Sequence, residues 1–295
     1  MPARDFLLVL LICLAWAGNF LTSKLALGEF PPLLFTTLRL VVLAVLLAPM
    51  VRRPAPGQWP RLAAVALCNG VLHFGLSFWS LRLSPNLAAP AILMQSYVPM
   101  ASLLAWWLLG ERFGWRTGAA IALSFAGVLV LGLDADVLAH PEAALLMLAS
   151  ALFLALGTVL MRPLRGLDAF SQQGWTAIIG VGPLLAWSLL VEPSPLQAMR
   201  EASWVGWFGV AYAALVASMV GHGLFYVLMQ RHPVARVTPY LLFAPLLAAI
   251  LGIVVMHDRL GPRLWIGGAM VLGGVLAIAL RNLQKARAAP VAAEA

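Results

Sequence analysis

Charge is scarce in this chain. Asp, Glu, Lys and Arg make up only 10% of its 295 residues, against 62% hydrophobic residues and a mean hydropathy of +0.94. A soluble domain carries about 25% charged residues, so a water-soluble fold is excluded and the bilayer is the solvent. Lysine is nearly absent, with Lys24 and Lys285 only. No basic cluster alternates with aromatic residues, so the net charge of +8 is not the footprint of a nucleic-acid partner. The two cysteines, Cys13 and Cys68, lie inside apolar runs without metal-ligand spacing and are expected as small core residues.

Catalytic and nucleotide-binding motifs are missing too. There is no GxxxxGK[ST] loop to cradle ATP phosphates, no GxSxG and no HExxH. The five histidines are scattered over separate segments. An enzyme, a cofactor and a metal are therefore not expected. All eleven acidic residues fall in segments expected to be loops or tails, which leaves no intramembrane carboxylate to carry a proton. Either coupling runs through histidine, or transport is downhill.

What the sequence does have is apolar runs of about 20 residues, the length of a membrane span. Breaks at glycine, proline and charge divide it into ten: 6–27, 32–51, 60–81, 86–109, 115–133, 142–161, 170–191, 204–229, 235–256 and 263–281. The run after Arg4 continues beyond Ala15-Trp16-Ala17 and is read as the first span, not as a cleavable leader. With the N-terminus inside, thirteen basic residues fall in inner segments and four in outer ones (Arg82, Arg200, Arg259 and Arg263). The bias predicts that both termini are cytoplasmic.

A block also recurs. His73, Arg82 and Pro90 return 149 residues later as His222, Arg231 and Pro239. Glu111-Arg112, Gly114, Arg116 and Gly127-Val128-Leu129 return 147 later as Asp258-Arg259, Gly261, Arg263 and Gly274-Val275-Leu276. Two halves follow, 1–137 and 138–285, with a flexible cytoplasmic tail at 286–295. Five spans per half is an odd number, so the second half is inverted in the bilayer, the plan of secondary transporters. The fold class is thus all-α integral membrane, with two inverted five-helix repeats around a central cavity.

Counting residues along the spans places Asn19, Arg39, His73 and Gln95 roughly 12–14 Å below one face at about 1.5 Å per residue, and His222 near the midplane of the inverted half. A shared depth suggests a shared substrate site. Ser77 lies on the His73 face, and Tyr226 lies one turn from His222, as does Ser218. Trp79, Trp175 and Tyr240 complete the expected lining. A lone mid-span histidine can equally be bonding a neighbouring helix. Arg39, which no intramembrane acid can pair with, either bonds helix carbonyls or faces a wet cavity and meets a substrate carboxylate. Pro90 and Pro99 in span 4, and Pro239 and Pro245 in its mate span 9, are expected kinks, serving either as elbows or as static packing. Glycine-rich spans 5 and 10 are expected to pack or to form dimer contacts.

These residues resemble the drug/metabolite transporter superfamily, EamA type, over nearly the whole chain. The resemblance rests on Trp16-Ala17-Gly18-Asn19-Phe20, Pro32 with Arg39, Leu109-Gly110-Glu111-Arg112 and the glycine spacing of span 5. Through the His73 region and its tryptophans the chain looks most like the YddG-type amino-acid exporters. One departure is visible, His257-Asp258-Arg259 where the family usually shows Gly-Glu. The resemblance implies a ten-helix carrier that exports amino acids, neutral and aromatic ones included, across the bacterial inner membrane by alternating access. The expected partners are the small-molecule substrate and the lipid bilayer, and the expected state is a monomer or weak homodimer. Another metabolite or drug is the alternative cargo, and a membrane-embedded enzyme or scaffold the remoter one.

Overall fold

The computed structural model describes residues 2–232 and 234–288. Among them there is no strand, and ten helices are long and apolar enough to cross a membrane: Arg4–Ala26, Pro32–Met50, Trp59–Leu83, Ala88–Leu109, Trp115–Gly132, Pro141–Met161, Ala169–Val191, Trp204–Arg231, Arg236–Val255 and Pro262–Gln284. They are called spans 1 to 10 in that order. Each boundary lies within three residues of the one expected from composition. The last helix continues to Ala288, three residues into the segment expected as a tail, while 289–295 lie outside the described residues.

The two halves of the sequence do not form separate bodies. Span 2 lies along span 7, and span 5 along span 10. Span 1 packs against spans 8 and 9, and span 6 against spans 3 and 4. Every one of these contacts joins one half to the other. Spans 5 and 10 touch backbone to backbone: a Cβ on Gly127 would stand 2.6 Å from the Val271 nitrogen, and one on Gly267 would stand 2.5 Å from the Leu131 nitrogen. Small residues permit that approach, and the expected packing role of these spans is met within the chain.

Spans 4 and 9 are each two helices in line. Ala88–Met94 gives way to Tyr97–Leu109 at Gln95-Ser96, and Val234–Leu241 gives way to Phe243–Val255 at Leu242. Pro99 and Pro245 are each the third residue of the second segment, where the missing N–H ends continuity with the helix before it. Pro239 lies inside the first segment of span 9. Pro90 differs from expectation. It sits in the first turn of Ala88–Met94, where an N–H has no helical partner to lose, so it starts the helix without kinking it.

Acidic side chains tie the helix ends. At the end bearing Glu29, the Glu192 carboxylate accepts the Leu33 and Leu34 amides (2.6 and 3.0 Å), and Asp258 accepts the Leu87 amide (2.8 Å). Lys24 donates to the carbonyls of Leu81, Arg82 and Ser84, which close span 3. At the opposite end, Arg52 meets Asp168 (3.5 Å) and Arg162 meets Glu111. Asp5 also belongs here. Expected in a tail, it lies in the first turn of span 1, buried, and holds Arg231 (2.9 Å) and His232 (2.7 Å) at the end of span 8.

Spans 4 and 9 end alike. The amides of Glu111 and Asp258 reach back six residues to the carbonyls of Ala105 and Gly252, through left-handed residues Gly110 (φ 69°) and His257 (φ 59°). The His257-Asp258 departure thus keeps the turn and gains the Leu87 contact, at the cost of a side chain in a region that suits glycine. His257→Gly should raise the unfolding midpoint, by about 1 kcal/mol of stability; a lowered midpoint would show that the imidazole itself holds the turn. Asp168 caps span 7 through the Ser171 amide (2.7 Å). That bond first, with Arg52 beside it, holds the Asp168 carboxyl below its ordinary value. Its stabilisation is complete above pH 3.8 and is lost as pH falls through the lowered value. Asp168→Ala should therefore lower the midpoint at pH 7 more than at pH 2.5, and an equal penalty at both would remove the charge contribution.

Candidate functional site

Two spans lose the regular α-helical winding at equivalent places. Span 3 is π-helical over Leu67–His73, and span 8 over Tyr212–Gly221, immediately before His222. Such widened turns disturb the backbone ladder and are frequent at functional sites. Here they offer carbonyls to side chains. The Ala213 carbonyl accepts from Ser218 Oγ (2.7 Å) and Arg39 Nε (3.3 Å). The Ala217 carbonyl accepts from His222 Nδ1 (3.1 Å) and Trp16 Nε1 (3.2 Å).

Arg39 reaches this region from span 2 and is 2% exposed. Its Nε and Nη2 both donate to Ser218 Oγ, at 3.1 and 2.7 Å. Its guanidinium lies over the Phe74 ring, 3.7 Å from the centroid, with Phe78 at 5.8 Å. Those contacts suit a desolvated cation, but they are neutral. Nη1 is buried without a hydrogen-bond partner. Of the two readings open from sequence, the structure shows the bond to a helix carbonyl, and it leaves one N–H edge unused. Gln173 of span 7 adds a bond to the Ser218 carbonyl (3.4 Å).

His73 faces span 6. Its Nδ1 lies 2.8 Å from Ser150 Oγ and 3.3 Å from the Ser150 carbonyl, and Ser150 Oγ donates to the His73 carbonyl at 2.9 Å. Two turns along, Ser80 donates to the Ala143 carbonyl (2.6 Å). His222 faces span 1, its ring 5.4 Å from that of Trp16. His73 therefore bonds across a seam between the two halves of the sequence, and His222 packs on Trp16 at another while bonding within its own span. The Phe74 ring beneath the Arg39 guanidinium is 4.6 Å from the His73 ring, and Ser218, which Arg39 bonds, lies one turn before His222.

The other expected residues are dispersed. Asn19, half-buried, accepts from Ser23 Oγ (3.3 Å) within span 1, and Ser77 donates to the Phe74 carbonyl (3.1 Å) of its own helix. Gln95 is half-buried at the break in span 4. Tyr226 stands edge-on to Phe170 (6.2 Å). Trp175 and Tyr240 are not at the depth of Arg39. The Trp175 indole donates to the Arg52 carbonyl (2.8 Å) and packs on Trp59 near the start of span 7, and Tyr240 is exposed and meets Phe6 near the start of span 1. Both sit where amphipathic rings sit, near a membrane face. Sequence reasoning passed over Ser150, Gln173 and Trp16; only Ser218, four residues before His222, left a signal in the helical stripe.

A cavity of about 520 Å³ opens at the Glu29 end, among Glu29, Pro32, Trp79, Arg82, Glu192 and Glu201. Trp79 is the one residue of the expected lining that borders it. Its acids are already engaged: Glu29 with Ser203, Glu192 with the start of span 2, and Glu201 with Gln197. A buried arginine and histidine with a second, half-buried histidine at mid-span, a break in each of two spans and a cavity at one end are the parts of a transporter.

Comparison with known proteins decides the family. The EamA-like transporter family matches residues 4–133 and again residues 142–280. The chain belongs to the EamA-like transporter family. It is a multi-pass membrane transporter. It is similar to a probable amino-acid metabolite efflux pump of Escherichia coli, 25% identical over 93% of this chain and 94% of the relative. A probable terminal-alkyne amino-acid exporter of Streptantibioticus cattleyicolor is 26% identical over 95% of each chain. An uncharacterized protein of Pseudomonas aeruginosa is 30% identical over 96% of this chain and 97% of its own length. A solved crystal structure matches with a TM-score of 0.64 at 20% identity, over 96% of the transporter and 100% of that chain, which speaks for the fold alone.

Ser218 is the hydroxyl on which the transporter's buried cation depends. Ser218→Ala should destabilise the protein by about 2 kcal/mol, the scale for removing a neutral hydrogen-bonding partner from a charged group. A thermal-unfolding midpoint within error of wild type would show that Arg39 does not need this contact.

Proposed function

We propose that this transporter exports neutral amino acids, aromatic ones included, across a bacterial inner membrane by alternating access. The observation that carries the reading is the Arg39 guanidinium, buried where spans 2, 3 and 8 meet, held only by neutral groups and with Nη1 free. A solute carboxylate is the natural complement of such a group. The names of the relatives point to the same cargo.

Two inverted repeats with both termini cytoplasmic are the architecture we propose for this work. The double family match, the paired π-helical turns, the paired breaks in spans 4 and 9 and the reciprocal packing of the halves support it. In this orientation the Glu29 end is periplasmic. Arg52–Asp168, Glu111–Arg162 and Asp5–Arg231 then tie the cytoplasmic end while the cavity opens outward. Pro99 and Pro245 interrupt two helices that run from one end to the other, and bending at these breaks would exchange the closed end for the open one.

The test is flux in proteoliposomes with a labelled panel of neutral and aromatic amino acids, with and without a pH gradient. Saturable flux without a gradient is the expected result, in keeping with the lack of an intramembrane acid at mid-span. Flux only with the gradient would make the histidines the proton carriers, and no flux would overturn the amino-acid reading. His73→Ala and His222→Ala should each cut flux at least tenfold at equal membrane levels. Wild-type rates in both would remove the histidines from the site.

A further inference from the structure

The hydrogen bonds around the two histidines fix which ring nitrogen carries the proton. Ser150 Oγ has one proton, and it goes to the His73 carbonyl (2.9 Å). The Ser150 carbonyl, 3.3 Å from His73 Nδ1, can only accept, so Nδ1 is the donor to it and to Ser150 Oγ at 2.8 Å. The Ala217 carbonyl has no proton to give, so His222 Nδ1 is the donor at 3.1 Å. A neutral imidazole with a proton on Nδ1 carries a bare lone pair on Nε2. Two different contacts, one to span 6 and one within span 8, therefore impose the same tautomer on two histidines at equivalent places in the sequence.

A transported amino acid has two charged ends. The carboxylate finds Nη1 of Arg39, which is buried and unpaired, while Nε and Nη2 are held by Ser218. The ammonium has no acid to meet at this depth. The acids within spans, Asp5 and Glu142, sit at the first turns of spans 1 and 6, Asp5 held by Arg231 and His232 and Glu142 beside His140 (3.6 Å). What remains near Arg39 is His73, whose ring is 4.6 Å from the Phe74 ring beneath the guanidinium, and His222, one turn beyond the Ser218 that Arg39 bonds.

We infer that the site binds its substrate as a zwitterion, with the carboxylate on Arg39 Nη1 and the ammonium on the Nε2 lone pairs of His73 and His222. This rests on the central-site reading of the previous section and names the groups that make it selective. One free guanidinium edge suits a monoanion and falls short of a phosphate dianion. Lone-pair acceptors take an N–H donor without requiring a buried counter-charge, so a simple amine leaves the arginine unmatched, and a simple carboxylate leaves both imidazoles unmatched.

The experiment is counterflow of labelled leucine in proteoliposomes of the wild-type protein, with unlabelled competitors that each lack one end. 4-Methylpentanoate has no ammonium, and 3-methylbutylamine has no carboxylate. Each is expected to compete about 10- to 100-fold less well than leucine, the range for losing one charge-assisted hydrogen bond. Arg39→Gln should erase the preference for leucine over the amine. His73→Phe with His222→Phe should erase the preference over the carboxylate. The competitor comparison uses the native protein, so it does not depend on any variant folding. Leucine counterflow in which either analogue competes as well as leucine overturns the zwitterion clamp alone. No leucine counterflow overturns the amino-acid reading and the clamp with it.

Discussion

A guanidinium buried among helices without a carboxylate is the constraint around which the middle of this protein is arranged. Charge at the centre of a span costs about 2.5–3.5 kcal/mol on insertion scales, and nothing offsets that inside span 2 itself. Arg39 is accommodated because span 3 brings an aromatic face and span 8 brings a hydroxyl and a carbonyl. The carbonyl is available because span 8 is wound as a π-helix at that point. The irregular backbone is therefore part of the arginine's solvation shell. It is tolerated at this depth because it is buried in protein, the one setting in which a bilayer permits it.

The same economy of polar groups explains how the halves are joined. Hydrophobic attraction does little between helices in lipid, so association falls to close packing and to hydrogen bonds across the seams. Close packing dominates where spans 5 and 10 meet through Gly127 and Gly267. Hydrogen bonds dominate where span 3 meets span 6, through His73–Ser150 and Ser80–Ala143. The histidines thus have a structural duty on the Nδ1 side of the ring. Their Nε2 side is the one left for chemistry. The two readings of a mid-span histidine, interhelical bond and substrate contact, are compatible because an imidazole has two nitrogens.

The sequence was most legible where the physics is one-dimensional. Span length, boundaries and number follow from apolar runs and their interruptions, and every boundary agrees to within three residues. The burial of Arg39 and His73 was also legible from depth counting. Partners were not. Nothing in an apolar run says which serine of another span will face His73, so Ser150 left no trace. Trp175 and Tyr240 were misplaced for a related reason: an aromatic residue near a span end reads equally as pocket wall or as interface anchor, and neighbouring chains decide. Pro90 was read as a kink because the start of its helix was placed two residues early. That shift separates a first-turn proline from an interior one. Asp5 was assigned to a tail because a carboxylate ended the apolar run, when its partners, Arg231 and His232, lie more than two hundred residues away.

Family membership adds a reason for the symmetry of these details. The family model matches the chain twice, and the two matched stretches carry versions of the same device that differ in chemistry while keeping their geometry. Gly110 and His257 make the same left-handed turn. Glu111 and Asp258 follow it with the same six-residue backbone bond, yet one pairs with Arg162 and the other caps span 4. His73 and His222 present the same tautomer, through a serine in one case and a backbone carbonyl in the other. Backbone position is constrained by packing across every seam, whereas the side chain that fills a position answers only to its immediate neighbours. Arg39 is the exception, because among the described residues it is the one buried arginine or lysine, and Lys24 is spent on the carbonyls that end span 3. In the proposed site the two matched stretches supply the acceptors and one alone supplies the cation, so that a frame with a single unsymmetrical charge would bind a solute in one orientation, as a molecule with distinct acidic and basic ends requires.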